Sequence, residues 1–261
     1  MNTVDGLVTN VLRPDHKQQR KHSYARCVPG TCGLESPPST SSPRAVEQLR
    51  PTLPSGVLWT GVRAAERVIA GITLVVLSPA LLAIVVVVAL LSRRPPIVAH
   101  RRVGFRGRDI WIFKIRTMWD RERGLGAPRQ VIEYLPGWGL VPDSKLQPDP
   151  RVTSSFASLC RRYSIDEWPQ LLQIVSGTLA LIGPRPLTAA ELKKHYGSAS
   201  LRLAQVKPGL VGLWQVRGRN RLTYRERRQL DLFMLENWSL RLYIWILFAS
   251  IPAVLSGRNA C

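Results

Sequence analysis

Asp166 and Glu167 stand side by side in YSIDEWPQLLQIVSG, residues 163 to 177. Two adjacent carboxylates can punctuate a helix start, hold a cation, or attack an electrophile. Punctuation is the simplest option. Ser164-Ile-Asp-Glu167 matches the S-x-x-E capping box, and acidic residues in a first turn suit the helix dipole. Pro169 fits that reading poorly. With Ser164 as the cap, the missing proline N–H falls at the fifth helical position, where it is needed. A helix starting near Asp166 places Pro169 in the first turn, where the lost donor costs little. Both carboxylates then lie at a helix N-terminus, which helps keep Asp166 ionised and tempers its reactivity.

Cations recur along the chain in a way that suits such a pair. Arg161 and Arg162 lie just upstream, Lys114 and Arg116 lie in FKIRTM, and Arg151 lies in DPRVT. Arg185 stands in IGPRP between Pro184 and Pro186, whose fixed φ angles give it a stiff support. Taken singly, each arginine reads as a solvated surface residue. Converging on the two carboxylates, they make a site for a diphosphate: Arg offers a planar fork to phosphate oxygens and Lys a point charge. Carboxylates among phosphates call for Mg²⁺, held by one or two of them plus substrate oxygens.

The whole composition leans the same way. The 261 residues carry a formal net charge of +20, which points to a polyanionic partner: nucleic acid, an anionic membrane face or phosphorylated substrates. Cys27, Cys32, Cys160 and Cys261 are scattered in a chain too long for a small secreted scaffold, so they read as reduced. Cys27 and Cys32, with His16 and His22, fit no standard zinc spacing. Residues 1 to 30 lack an apolar core run, so no signal peptide is expected.

The elements that position these residues divide into three parts. Residues 1–55 include the Ser/Pro-rich ESPPSTSSPR and read as a disordered tail. Residues 56–94 contain VIAGITLVVLSPALLAIVVVVALL, 24 uncharged residues from 68 to 91, about 36 Å as a straight helix and enough to cross a hydrocarbon core. Two details favour a helix-break-helix that dips into one leaflet and returns. Ser78-Pro79 sits at its centre, and Pro kinks a helix. Arg63 and Arg67 precede the segment while Arg93, Arg94, Arg101 and Arg102 follow it, so the positive charge that normally marks one membrane side marks both ends. A Pro-kinked spanning helix stays open as the alternative. Residues 95–261 form the third part, on the membrane surface. Residues 97 to 118 read as a β-hairpin around Gly104 and Gly107. Residues 119 to 147 read as a long Gly- and Pro-punctuated segment, either a cover over a site or a membrane-touching loop. The rest reads as mostly helical, so the fold class expected is α+β and mainly helical. The apolar run ending at residue 255 has only fourteen uncharged residues after Arg241, short for a span and suited to an interfacial or core helix.

RGRNRLTYRERR, 217 to 228, has six arginines in twelve residues. It reads as a solvated face, or as a patch for nucleic acid, lipid headgroups or substrate phosphate. No nucleic-acid module is recognisable, so beside a membrane hairpin lipid phosphate is the economical partner.

Six ordered stretches now carry a resemblance: FKIRTM, DPRVT, SIDEWPQLLQIVSG, LIGPRP, KPGLVGLWQVRGRN and LDLFMLENWSL, after a Ser-Pro-broken apolar segment. From about residue 60 onward the chain resembles the bacterial sugar transferases, the monotopic phosphoglycosyl transferase family, in its minimal form. The resemblance implies transfer of a sugar 1-phosphate from a UDP-sugar to polyprenyl (undecaprenyl) phosphate with release of UMP, initiating exopolysaccharide or glycoconjugate synthesis. It implies that Asp166 is the nucleophile forming an acyl-phosphate, and that Glu167 is its partner linked to Mg²⁺. Arg161 and Arg185 match phosphate-associated positions, and Lys114 and Asp231 match polar motif positions. The family's re-entrant hairpin agrees with the charge argument and implies a domain on the cytoplasmic face of the bacterial inner membrane. The partners expected are UDP-sugar, polyprenyl phosphate and membrane lipid, with no nucleic acid; a homodimer stays open. Trp168 replaces the usual leucine after the Asp-Glu pair, and Thr178 replaces a common acidic residue before GPRP. Both put sugar preference in doubt. The rival reading is a non-enzymatic membrane-anchored basic protein binding nucleic acid or anionic lipid.

Overall fold

The computed structural model describes residues 56–118, 131–135, 154–218 and 221–255. The Ser/Pro-rich tail, Arg151 and YLPGWGLV beyond Leu135 lie outside them. Among the described residues the protein is mostly helical with two small sheets.

Helix α1, Val57–Ser92, is 36 residues long. Val and Ile are mediocre helix formers in water. In hydrocarbon every backbone polar group must be satisfied within the segment, which forces the helix. Most of its apolar surface is bare, with Val75 72% and Leu90 72% exposed. The helix ends where Arg93 turns left-handed at φ 52° and its N–H reaches the Ala89 carbonyl. Where the sequence reading expects a helix-break-helix, a single helix runs through Pro79. A residue with an N–H at 79 would donate to the Val75 carbonyl four residues back. Proline cannot, and the Ser78 hydroxyl donates to that carbonyl instead, at 2.7 Å. The Ser-Pro pair therefore supplies its own repair.

Both halves of α1 lean on the rest of the protein. Before Pro79, Ala70, Leu74 and Leu77 join Ile112, Leu171, Ile174 and Leu179. After it, Leu81, Ile84 and Val88 join Ile115, Ala157 and Phe156.

The expected hairpin is present. Strand β1 (Ile97–Val103) pairs antiparallel with β2 (Asp109–Ile115), from Ile97 opposite Ile115 to Val103 opposite Asp109. Gly107 takes φ 73° in the turn, a conformation that favours glycine. A third strand, β3 (Ile132–Leu135), runs parallel to β1 on its other edge. It falls inside the stretch that the sequence reads as a cover or loop. Four residues amid Gly and Pro carry too little periodicity to announce a strand.

Helix α2 (Ser155–Arg162) leads into a 3₁₀ helix, Ile165–Gln170, followed by α3 (Leu171–Val175). Then come β4 (Ala180–Ile182), α4 (Ala189–Glu191) with its π-helical continuation Leu192–Tyr196, and α5 (Ser200–Ala204). Strand β5 (Gly209–Val211) pairs parallel with β4. Helices α6 (Leu213–Arg217), α7 (Tyr224–Glu236) and α8 (Leu240–Leu255) complete the fold. Gly183 and Gly209 are obligatory at the small sheet: a Cβ on Gly209 would lie 2.1 Å from the Gly183 nitrogen.

Candidate active site

The acidic pair sits in the first turn of the 3₁₀ helix. The S-x-x-E capping box does not form there: Ser164 is left-handed at φ 57° and makes no side-chain cap bond. The tighter helix accommodates Pro169 and hands the chain to α3. That placement agrees with the expectation that both carboxylates lie at a helix start.

Gln173 fixes this segment against the hairpin. Its amide donates to the Trp111 carbonyl and accepts from the Phe113 N–H at 3.1 Å, on the open edge of β2. Lys114, the next residue on that strand, therefore stands over the acidic turn. Its ammonium lies 2.7 Å from Glu167 Oε1 and 3.7 Å from Asp166 Oδ2. Arg185, carried in from the β4 side, donates to the same Glu167 oxygen at 2.8 Å.

Burial separates the two carboxylates electrostatically. Asp166 is 8% exposed. Burial raises its carboxyl, Lys114 pulls it down, Glu167 raises it further, and Arg161 and Arg185 oppose; the net shift is upward. Burial would raise Glu167 too. There Arg185 and Lys114, each adding a hydrogen bond, outweigh it and hold the carboxyl well below the usual range.

These groups line a cavity of about 820 Å³, the size of a small-molecule site. Among its described lining residues, six Lys or Arg side chains face three carboxylates, Asp166, Glu167 and Glu191. His100 registers the resulting potential: burial, then Arg102, Lys114 and Arg116, push its imidazole down to about 4. Another part of the wall is formed by Thr73 and Leu77 of α1 and Ala253 and Val254 of α8.

The structure thus brings Lys114, Arg161, Asp166, Glu167 and Arg185 to one cavity. Arg116 lines it as well, but its nitrogens go to the Pro95 carbonyl at 2.8 Å and to Glu133. Asp231 stands apart from the lining. It is wholly buried and accepts from the Tyr196 hydroxyl at 2.7 Å. Burial pushes its carboxyl up to about 7, against the Tyr196 bond and Arg227. The sequence reading missed Arg102, Trp214, Tyr224 and Arg227, all on the cavity wall. Arg227 belongs to the six-arginine patch but is 8% exposed, with its guanidinium 4.6 Å from the Trp214 ring centroid and 5.1 Å from that of Tyr224. Its spacing of three from Tyr224 and four from Asp231 on one helix was the available signal.

Comparison with known proteins decides the family. The bacterial sugar transferase family matches residues 59–257. The chain belongs to that family. It is 37% identical over 202 residues to the exopolysaccharide production protein ExoY of Sinorhizobium fredii, covering 76% of this chain and 87% of that protein. It is 34% identical over 166 residues to the undecaprenyl-phosphate galactose phosphotransferase of Salmonella typhimurium, covering 64% of this chain and 34% of that protein. It is 32% identical over 203 residues to the UDP-glucose:undecaprenyl-phosphate glucose-1-phosphate transferase of Xanthomonas campestris, covering 75% of this chain and 39% of that protein. The transferase is an enzyme, and the rival reading as a non-enzymatic basic anchor gives way.

The residues present also fit a divalent cation. Among the described residues no group of three or more His, Cys, Asp or Glu is clustered. The described ion pairs of Glu167 use Oε1, which leaves Oε2 outside those pairs. One or two carboxylates completed by substrate oxygens is how Mg²⁺ is usually held next to phosphates.

Proposed function

We propose that this transferase moves a sugar 1-phosphate from a UDP-sugar to undecaprenyl phosphate, releasing UMP, through a covalent phosphosugar on Asp166. The product starts an exopolysaccharide or glycoconjugate. The observation that carries this reading is the asymmetry of the buried pair. Glu167 takes the close contacts of both Lys114 and Arg185, while Asp166 keeps its nearest described cation at 3.7 Å. A carboxylate whose nearest described cation stands at that distance is not locked in a tight ion pair, as a nucleophile requires. Arg161 and Arg185 neutralise phosphoryl charge in the transition state. Mg²⁺, held by Glu167 with substrate oxygens, would supply further charge neutralisation. Lys114 orients Glu167 and tempers the Asp166 charge before attack. Asp231 supports the wall by holding Tyr196. Arg151 remains a proposed phosphate contact.

The membrane reading is re-entrant, with the catalytic domain on the cytoplasmic face of the inner membrane. Support comes from packing on both sides of Pro79: Ala70 and Val88 each join clusters of this one domain. A helix crossing the bilayer would carry one of those positions away from it. The apolar wall from α1 and α8 suits a prenyl chain, and the excess of cations suits diphosphates.

The test is Asp166→Asn in membranes supplied with UDP-sugars and undecaprenyl phosphate. Loss of UMP release, with a phosphosugar adduct mapped to Asp166 in the wild type by mass spectrometry, is expected. Full turnover by the variant would sink the nucleophile assignment. For topology, Cys27 and Cys261 should show the same accessibility to an impermeant thiol reagent in intact cells.

A further inference from the structure

We propose that Arg63, Arg67 and Lys207 form a binding site for the phosphodiester of an anionic phospholipid, at the level where α1 enters the membrane. The proposal rests on the membrane reading of α1 and not on the covalent mechanism.

Three separate stretches of chain build the site. Arg63 and Arg67 stand four residues apart on α1 and so share a face. The turn between α3 and β4 supplies Gly177, which takes φ 77°. A Cβ there would run into the Arg67 guanidinium, so the arginine lies directly against the glycine backbone. The segment before β5 supplies Lys207, whose ammonium donates to the Gly177 carbonyl at 2.9 Å. Arg67 and Lys207 thus meet at one glycine. Burial, then Arg67 and Arg63, depress the Lys207 ammonium, and Glu66 opposes them. Glu66 does not neutralise the group. It is 3% exposed and is already committed to the Arg63 guanidinium and the Tyr243 hydroxyl, each at 2.9 Å. Three cations therefore face one carboxylate.

The location selects a lipid. None of the three cations is among the described residues lining the cavity of the acidic pair. Residues 68 to 91 are uncharged, so Arg67 is the last charge before the hydrocarbon and stands at the headgroup level. Trp59 packs edge-on to Trp238 and Tyr243, at 6.4 and 6.1 Å between ring centroids; Trp and Tyr favour the membrane–water interface. Cations at this level attract anionic headgroups. The arginine fork and the lysine point charge suit phosphate oxygens, and a bound phosphate relieves the crowding at Lys207. A zwitterionic headgroup would bring its own ammonium toward three cations, whereas phosphatidylglycerol brings only the phosphate charge. The Ala180 N–H donates to the Pro208 carbonyl at 2.9 Å. A lipid held here therefore ties the β4–β5 sheet, and Arg185 beyond it, to the headgroup layer.

The test uses the full chain in detergent, titrated with phosphatidylglycerol or phosphatidylcholine, with retained lipid counted by native mass spectrometry. The wild type should retain one phosphatidylglycerol in preference to phosphatidylcholine. Lys207→Gln, which can still donate to the Gly177 carbonyl, and Arg67→Gln should each weaken that first phosphatidylglycerol about five-fold, the weight of one cation near a charged surface. Phosphatidylcholine should be unaffected. Gly177→Ala keeps every charge and should weaken the same lipid, because it displaces Arg67. Arg93→Gln removes a charge at the other end of α1 and should leave the first phosphatidylglycerol in place. Equal retention of the two lipids by the wild type overturns the proposal, as does unchanged retention in Lys207→Gln. Equal losses in Arg93→Gln and Lys207→Gln also overturn it, since they report overall charge rather than a site. None of these results touches the covalent reading, which Asp166→Asn tests.

Discussion

Gln173 is the residue on which the alignment of the site depends, and replacing it separates alignment from chemistry. Its amide makes two hydrogen bonds to the outer edge of β2, at Trp111 and Phe113. Lys114 follows directly, and the acidic turn lies one helical segment before Gln173 itself. The side chain is 5% exposed, so water cannot readily replace it. Gln173→Leu keeps the volume and removes both bonds. Each backbone group left without a partner costs about 1–3 kcal/mol, so the pair costs about 2–6 kcal/mol. For a domain of this size that lowers the melting temperature by about 4–24 °C. The functional effect should appear before unfolding. At a temperature where the variant is folded, kcat should fall about ten-fold or more as Lys114 and Glu167 lose register, a displacement of the kind that proximity effects punish. The assays are thermal unfolding in detergent and UMP release. A variant that melts within about 2 °C of wild type and turns over normally would refute the clamp.

Gly209→Ala should abolish folded, active protein, because its Cβ would meet the Gly183 backbone at 2.1 Å and dislodge the segment carrying Arg185; solubility and UMP release check it. Ser78→Ala should destabilise the membrane helix by about 1 kcal/mol or more, yet be nearly neutral beside Pro79→Ala, where residue 79 regains its N–H. A double-mutant cycle on unfolding reads this coupling. Asp231 has a folded pKa near 7, above its ordinary value of 3.8. The folded state thus binds the extra proton between those values, and stability should fall as pH rises from about 4 to about 7. Asp231→Asn should flatten that part of the profile, measured by unfolding at pH 5 and pH 8.

The sequence made some of this legible for physical reasons. Lys114 could be placed on a hairpin because β-branched and apolar residues flank a glycine turn. Arg185 could be singled out because two prolines stiffen it. Other features left weaker traces. A polar residue inside a helix, as Gln173 is, ordinarily reads as solvent-facing, and only the neighbouring strand edge reveals its use. The capping box was a true sequence match without a structural counterpart, because Ser164 turns left-handed and the helix begins as 3₁₀. The same box pattern does form at Thr188 with Glu191 and at Thr223 with Glu226. Arg227 was hidden among five other arginines; its i−3 neighbour Tyr224 was legible, and Trp214, which meets it only in the fold, distinguishes it.

The acidic pair needs both its neighbours and its backbone. A desolvated carboxylate tends to gain a proton, and a carboxylate in a tight ion pair is held back from attack. Two adjacent residues in a 3₁₀ turn point in different directions, so their environments can diverge. Glu167 meets Lys114 and Arg185 at 2.7 and 2.8 Å and is driven strongly anionic. That fixed negative charge anchors the two cations, which then reach Asp166 through space rather than through a close contact. Glu167 thereby leaves its neighbour desolvated and out of a tight ion pair, although its own negative charge works against Asp166 ionising; the dipeptide holds this arrangement only because Gln173, Gly209 and the two prolines hold β2 and the Arg185 segment on either side of it.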